Sequence, residues 1–473
     1  MRNDYIKGDK VKNINGELVS GYILNAQTVF EELNQVSPSF CLAKWFNVSL
    51  HIPTGQTHSC YHPRSHKIPM EEVAIDVSAL HNTKYKKEQR RAMLHGERPQ
   101  ECSFCWETED NGDSLSDRAY RSKDIYEDGI IEEAKKLGFE GNARPRYVEV
   151  NFNQACNFRC TYCSPHLSTA WQQDIERNGA YILSDRWHND LTWVKKLNID
   201  NGPDNPYLKA FWQWLPDIYP TLHTFRMTGG EPLMDKNTFR MFDYVKENPK
   251  ADLHLSITSN CCPPGEQWAK FLLGLKEITD RNAIEHFMLF CSLDSWGKQA
   301  EYIRDGLEFD KLYSNITEYL QVSEKHSLTF IITFNVLSYP GFYNYIENIL
   351  KLRQQYNSDR QLIWWDVPQL SSPEWMDPRL APEMIVELER TLSFMQNNKE
   401  TWNTRFKGFK DFEIDKVRRL IDWVRDSIFD NETAVKNFYL YFKEHDRRRD
   451  TDFLSVFPEL NTLWEKSKQL NGQ

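Results

Sequence analysis

Six β-rich runs, 147–153 (YVEVNFN), 223–228 (HTFRMT), 252–258 (DLHLSIT), 287–293 (FMLFCSL), 328–336 (LTFIITFNV) and 361–367 (QLIWWDV), alternate with helix-compatible stretches such as 342–356. Strands and helices taking turns imply parallel βαβ units, because parallel neighbours need a long crossover between them. Six strands fall short of the eight that close a barrel. The expected fold class is therefore α/β, with a partial (β/α)6 TIM-type barrel over 146–375. An open doubly wound sheet is the other arrangement this alternation allows.

Upstream, KWFNVSLHIPTGQTHSCYH (44–62) alternates apolar and polar residues on both sides of Pro53-Thr54-Gly55 and reads as a β-hairpin. It centres a small N-terminal domain over 36–115, after a polar lead-in over 1–35. SDRAYRSKDIYEDGIIEEAKKLG (116–138) reads as one helix stopped by Gly138, inside a linker over 116–145. The remainder, 376–473, reads as mainly helical. A chain of 473 residues is too long for one ordinary core, which agrees with this division.

Charge and hydropathy narrow the classes of function. The net charge is −10 with dispersed basic residues, which disfavours a nucleic acid held by electrostatics. Mean hydropathy is −0.66 and no apolar run reaches the length of a membrane span. The first residues, MRNDYIKGDKVKNINGE, are polar and lack a secretory pattern, so a cytoplasmic protein is expected. The tryptophans, among them Trp212, Trp214, Trp364 and Trp365, read as core material.

The unusual residues follow the strands. Cys156, Cys160 and Cys163 follow the first, Gly229-Gly230-Glu231-Pro232 the second, Ser259-Asn260 the third and Asp294-Ser295 the fourth. Ligands of parallel α/β folds bind beyond the carboxyl ends of strands, so these loops are expected to ring one site.

Ten cysteines are present, and a Cx3CxxC spacing would arise by chance in roughly 0.004 of chains with this cysteine frequency. Clustered thiolates select zinc, copper(I) or iron–sulfur clusters. Three ligands for a four-coordinate centre leave one position open, as catalytic metal sites do. Cys156-x3-Cys160-x2-Cys163, with Tyr162 beside the last cysteine, resembles the signature of the radical S-adenosylmethionine (SAM) superfamily. Thr228, Gly229, Gly230, Glu231 and Pro232 resemble that family's motif for the methionyl amino group. Ser292 and Asp294 resemble its ribose-contacting stretch, Arg304 its arginine near the SAM carboxylate, and Val336 its residue bordering adenine; Asn260 is a further match. The resemblance implies a [4Fe-4S] cluster on the three thiolates, with SAM on the fourth iron. It also implies reductive cleavage of SAM to a 5′-deoxyadenosyl radical, and a reductant such as a flavodoxin or ferredoxin.

A second set, Cys41-x13-Gly55-x4-Cys60 followed by Cys102-x2-Cys105, resembles the auxiliary-cluster half-motif of SPASM and Twitch domains. That resemblance implies a second [4Fe-4S] cluster in the N-terminal hairpin domain, in the shorter Twitch form. A structural zinc site, helped by His58, His62 or His66, is the alternative. Cys261, Cys262 and Cys291 read as packing residues. KYKKEQRR (84–91) reads as a solvated helix face and Arg447-Arg448-Arg449 as a helix end paired with nearby acids, one arginine being a candidate substrate contact.

The function implied is a radical SAM enzyme that abstracts hydrogen from a peptide or protein, an auxiliary cluster assisting an oxidoreductase-type modification. A nucleotide, sugar or other small metabolite is the alternative substrate. A non-enzymatic electron carrier or sensor is a third reading, although it has no use for an open iron.

Overall fold

Tyr147–Asn151 and Thr224–Thr228 alternate apolar and polar residues, and the strands they form present one kind to each face. The computed structural model describes residues 10–12, 18–112, 115–184, 189–322, 325–370, 372–426 and 429–472, so part of the expected lead-in lies outside the described residues. Contacts divide the chain into two compact units. One comprises Met1–Asn153, Ile199–Thr228 and Asp252–Leu255; the other comprises Gln154–Asn198, Gly229–Ala251 and Ser256–Gln473.

In the first unit, β1 (Asn47–His51), β2 (Gln56–His58), β3 (His66–Lys67), β4 (Tyr147–Asn151) and β5 (Thr224–Thr228) lie side by side in the order β5-β4-β1-β2-β3. β1 is parallel to β4, and β4 to β5; the turns to β2 and β3 are antiparallel. The expected hairpin is therefore present, but it does not form a sheet of its own. Val48, Val148 and Phe225, and Leu50, Val150 and Met227, stand in register, and all six are buried. Burying such side chains contributes about 1.5–3 kcal/mol each. That apolar row is what draws the hairpin onto β4.

Gly55 closes the link between β1 and β2 with φ +58°, a left-handed conformation suited to glycine. A Cβ there would lie 2.1 Å from the ring of Tyr207. Gly55→Ala is expected to lower unfolding free energy by about 3 kcal/mol, from backbone strain plus overpacking, read from the denaturant midpoint.

β6 (His254–Ser259) begins in the first unit and ends in the second. In the second unit β7 (His286–Ser292), β8 (His326–Ile331) and β9 (Ile363–Asp366) run parallel in that order, with Leu289 opposite Leu328 and Phe330 opposite Trp365. Phe242, Phe271, Phe287 and Tyr319 form a buried aromatic cluster with ring centroids 5.7–6.4 Å apart. Every expected β-rich run thus carries a strand. The C-terminal region is helical over Ile385–Asn397, Asp411–Asp426, Glu432–Arg449 and Asn461–Leu470.

Two expectations are corrected. Residues 116–138 form two helices, Asp117–Asp124 and Ile130–Leu137, because Asp128-Gly129 makes a turn with Gly129 at φ +86°. The basic helix Lys84–Leu94 is not solvated on all its charges, since Lys86 and Arg90 are buried. Lys86 Nζ donates to Asn47 O at 3.1 Å, and Arg90 donates to Lys44 O and Asn82 Oδ1. These carbonyls take the place of water around the two cations.

Candidate metal centre

β4 leads into the loop that carries Cys156, Cys160 and Cys163, and short-range pairing holds that loop. Arg159–Cys160 forms a two-residue antiparallel ladder with Arg304–Asp305, placing Arg304 opposite Cys160. Thr161 N–H donates to Ile303 O at 2.8 Å. Tyr441, on the C-terminal helix Glu432–Arg449, donates its hydroxyl to Thr161 O at 2.8 Å. Tyr441→Phe leaves that carbonyl unpaired and is expected to cost about 1–2 kcal/mol of stability, measured by chemical denaturation.

The Gly-Gly-Glu-Pro loop lies against the chain entering the cysteine loop. A Cβ on Gly230 would sit 2.3 Å from Ala155 O, and Glu231 N–H donates to that oxygen at 2.6 Å. Gly229 adopts φ +134°. Only glycine at 230 tolerates this approach. Buried Glu231 braces the loops: Oε1 accepts from Ser259 Oγ and Leu233 N–H, and Oε2 from Asn260 N–H at 2.7 Å. Burial raises its carboxyl pKa to about 7, against the pull of those donors. Asn260 Nδ2 then donates to Asn157 Oδ1, inside the cysteine loop.

Asp294 and Arg304 arrive from the end of β7 and the turn after Lys298–Ile303. Asp294 Oδ1 accepts from Thr333 N–H, and Oδ2 accepts from Tyr162 Oη at 2.8 Å. Arg304 Nε lies 2.8 Å from the same carboxylate, another guanidinium nitrogen donates to Tyr162 Oη, and Nη1 donates to Cys160 Sγ at 3.7 Å. Both charged side chains are buried.

Cys156, Cys160, Cys163, Tyr162, Gly229, Gly230, Glu231, Asn260, Asp294 and Arg304 are thus joined through contacts within the second unit. Pro232 opens a buried 3-10 turn beside them. Thr228 ends β5 in the first unit, Ser292 ends β7, and Val336 is fully buried in a 3-10 turn. Arg448 and Arg449 form ion pairs with Asp174 and Asp305, and exposed Arg447 with Glu444. Arg449 Nη2 is a buried donor without a hydrogen-bond partner.

The donor set fits an iron–sulfur cluster and SAM. Cys156 Sγ accepts from Phe158 N–H at 3.4 Å and Cys160 Sγ from Arg304, bonds that favour the ligating thiolate. Burial, helped by the neighbouring thiols and acids, raises all three thiol pKa values, that of Cys163 to about 12, so ligation requires compensating positive charge. Arg304 Nε–H, although near Asp294, has no aligned acceptor, leaving a buried donor for a carboxylate.

Cys41, Cys60, Cys102 and Cys105 line one cavity of about 410 Å³, open mouth included, together with Lys44, His62, Arg118 and Arg121. Burial lowers the Lys44 pKa, but Cys102 and Glu101 outweigh it and hold the ammonium charged. Burial, partly offset by Lys44, raises the Cys102 thiol to about 12. His58 instead contacts His51, and His66 contacts Thr83, so of the three histidines only His62 lines the cavity. Among the described residues, no three His, Cys, Asp or Glu side chains converge closely enough to hold a single ion. A cluster does not require that convergence, since each thiolate takes its own iron. Cys261, Cys262 and Cys291 are buried packing residues.

Sequence reasoning missed the polar face of the first unit's sheet. Tyr61, Tyr147, Glu149 and Arg226 form a hydrogen-bonded group there, and His51 lies 3.0 Å from His58. The period-two alternation of YVEVN and TFRMT was the available signal.

No family model matches the chain. A GTP 3′,8-cyclase of Campylobacter lari is 27% identical over 199 residues, 41% of this chain and 47% of that protein. A GTP 3′,8-cyclase of Aliarcobacter butzleri is 31% identical over 118 residues, 24% of this chain and 27% of that protein. The chain therefore spans about half the length of the first relative and about a quarter of the second. Streptococcus suis SuiB bound to S-adenosylmethionine aligns with TM-score 0.33 and 13% identity over 75% of this chain and 67% of that one. SuiB bound to its precursor peptide SuiA aligns equally weakly, with TM-score 0.33. No described helix is long and apolar enough to cross a membrane. The Cx3CxxC loop, the Gly-Gly-Glu-Pro loop braced against it and these sequence relatives support the resemblance of the chain to the radical SAM superfamily.

Proposed function

We propose that Cys156, Cys160 and Cys163 hold a [4Fe-4S] cluster whose fourth iron takes SAM. When bound, the pair supplies one-electron cleavage of SAM to methionine and a 5′-deoxyadenosyl radical that takes hydrogen from the substrate. The close approach of Gly230 to Ala155 O supports this reading, since the glycine loop lies against the chain entering the cysteine loop. Gly229 and Gly230 leave backbone free for the methionyl amino group. Arg304 offers its spare donor to the carboxylate, Ser292 and Asp294 stand for the ribose, and Val336 for the adenine. Buried Cys160, Glu231, Asp294 and Arg304 keep part of this strongly reducing site from water. The strands of 146–375, as a partial (β/α)6 barrel, are part of this proposal.

Cys41, Cys60, Cys102 and Cys105, in a Twitch-like domain over 36–115, are proposed to hold a second cluster that accepts an electron from the substrate radical. Their common cavity, with Lys44, Arg118 and Arg121 to offset thiolate charge, supports it. The substrate proposed is a peptide or protein side chain, oxidised after hydrogen abstraction, with a flavodoxin or ferredoxin as reductant in the cytoplasm. A second reading, a nucleotide substrate, is favoured by the relatives whose name is GTP 3′,8-cyclase.

Anaerobic reconstitution of the whole chain tests these readings. About eight irons per chain are expected, falling to about four in Cys102→Ala/Cys105→Ala with SAM cleavage retained. Zinc at the second set, with about four irons in the wild type, would overturn the auxiliary cluster. Stimulation of 5′-deoxyadenosine release by GTP, and not by peptides, would replace the peptide reading with the nucleotide one.

A further inference from the structure

Arg304 and Asp294 form a buried charge pair, and Arg304 hydrogen-bonds the Cys160 sulfur. Register pairing with Cys160 fixes the backbone of Arg304, and its Nη1 donates to Cys160 Sγ at 3.7 Å. Asp294 is 1% exposed and Arg304 6%, so water screens neither strongly. Asp294 is itself anchored by Thr333 N–H and Tyr162 Oη, whose ring lies 5.7 Å below the guanidinium. The two charges therefore cannot turn away from the thiolate without breaking several bonds.

We infer that Arg304 and Asp294 set the reduction potential of the group held at Cys156, Cys160 and Cys163, acting as opposed electrostatic controls through the Cys160 sulfur. The inference rests on the reading that these thiolates hold an iron–sulfur cluster. Reduction adds one electron to that cluster, and nearby positive charge and N–H donors to sulfur stabilise the added charge. Arg304 supplies both. Asp294 tempers the guanidinium charge while aiming its fork at the sulfur. Both are positioning residues in this role.

Redox titration of the full chain, followed by electron paramagnetic resonance, tests the inference. The signal that changes on SAM addition identifies the cluster with the open iron. Arg304→Gln is expected to make reduction at least tenfold less favourable, a shift of about −59 mV for one electron, and Asp294→Asn to shift it the other way by a similar factor. Arg304→Lys, which keeps the charge, is expected to stay within tenfold of wild type. Shifts of the same sign, or none, with normal cluster content would overturn the inference while leaving the cluster assignment intact. Loss of the cluster in all three variants, with folding retained by circular dichroism, would also overturn it. A wild type without any SAM-sensitive signal would instead sink the reading on which the inference rests.

Discussion

Cys160→Ala is expected to remove about four irons per chain and to lower 5′-deoxyadenosine formation more than about 100-fold, since changes one shell further from a metal already cost 10–100-fold. Cys160 is the most buried of the three thiols, receives the Arg304 hydrogen bond and sits in the ladder that fixes the loop. Its loss removes a proposed ligand and leaves Arg304 only its partners Asp294 and Tyr162. Iron and sulfide analysis with product chromatography reads the effect. A Cys160→Ala protein that retained both its iron and SAM cleavage would place the cluster elsewhere.

The largest effect on stability is expected far from the cysteines, at the ion pair of Arg353 and Glu413. Both side chains are fully buried. The guanidinium makes a fork with both carboxylate oxygens and also donates to Ile363 O and Gly408 O. Glu413→Gln leaves the buried guanidinium without a counter-charge, and breaking such a pair costs about 3–5 kcal/mol. The double variant Arg353→Met/Glu413→Leu is expected to recover most of that loss, because apolar packing can replace a buried pair. Urea denaturation of the three proteins separates these outcomes.

The strands were legible because each expected run is rich in β-branched and aromatic residues and flanked by helix-compatible sequence. The loops after β4, β5, β6 and β7 were legible for the same reason, as their cysteines, glycines and acids interrupt that pattern. Membership of β1 in the same sheet as β4 was not legible. It depends on Val48 meeting Val148 and Leu50 meeting Val150 across a long sequence separation, and no local signal encodes a parallel partner. Asp128-Gly129 did carry a turn signal within 116–138, but the charged periodicity around it reads as one continuous helix. Lys86 and Arg90 look like surface charges because the carbonyls that receive them, Asn47 O and Lys44 O, come from another segment. Asp294 and Arg304 were singled out one at a time. Their union with Tyr162 and Cys160 arises only when the turn after Ile303 pairs with Arg159–Cys160.

The central claim is an iron cube tied by three thiolates with one corner left for SAM. Electron paramagnetic resonance of the dithionite-reduced, oxygen-free protein, recorded before and after adding SAM, tests it most directly. The account predicts a [4Fe-4S]+ signal that changes on SAM addition and gives way to methionine and 5′-deoxyadenosine. A spectrum indifferent to SAM, with the sulfonium intact, or zinc as the sole metal at Cys156, Cys160 and Cys163, would contradict it.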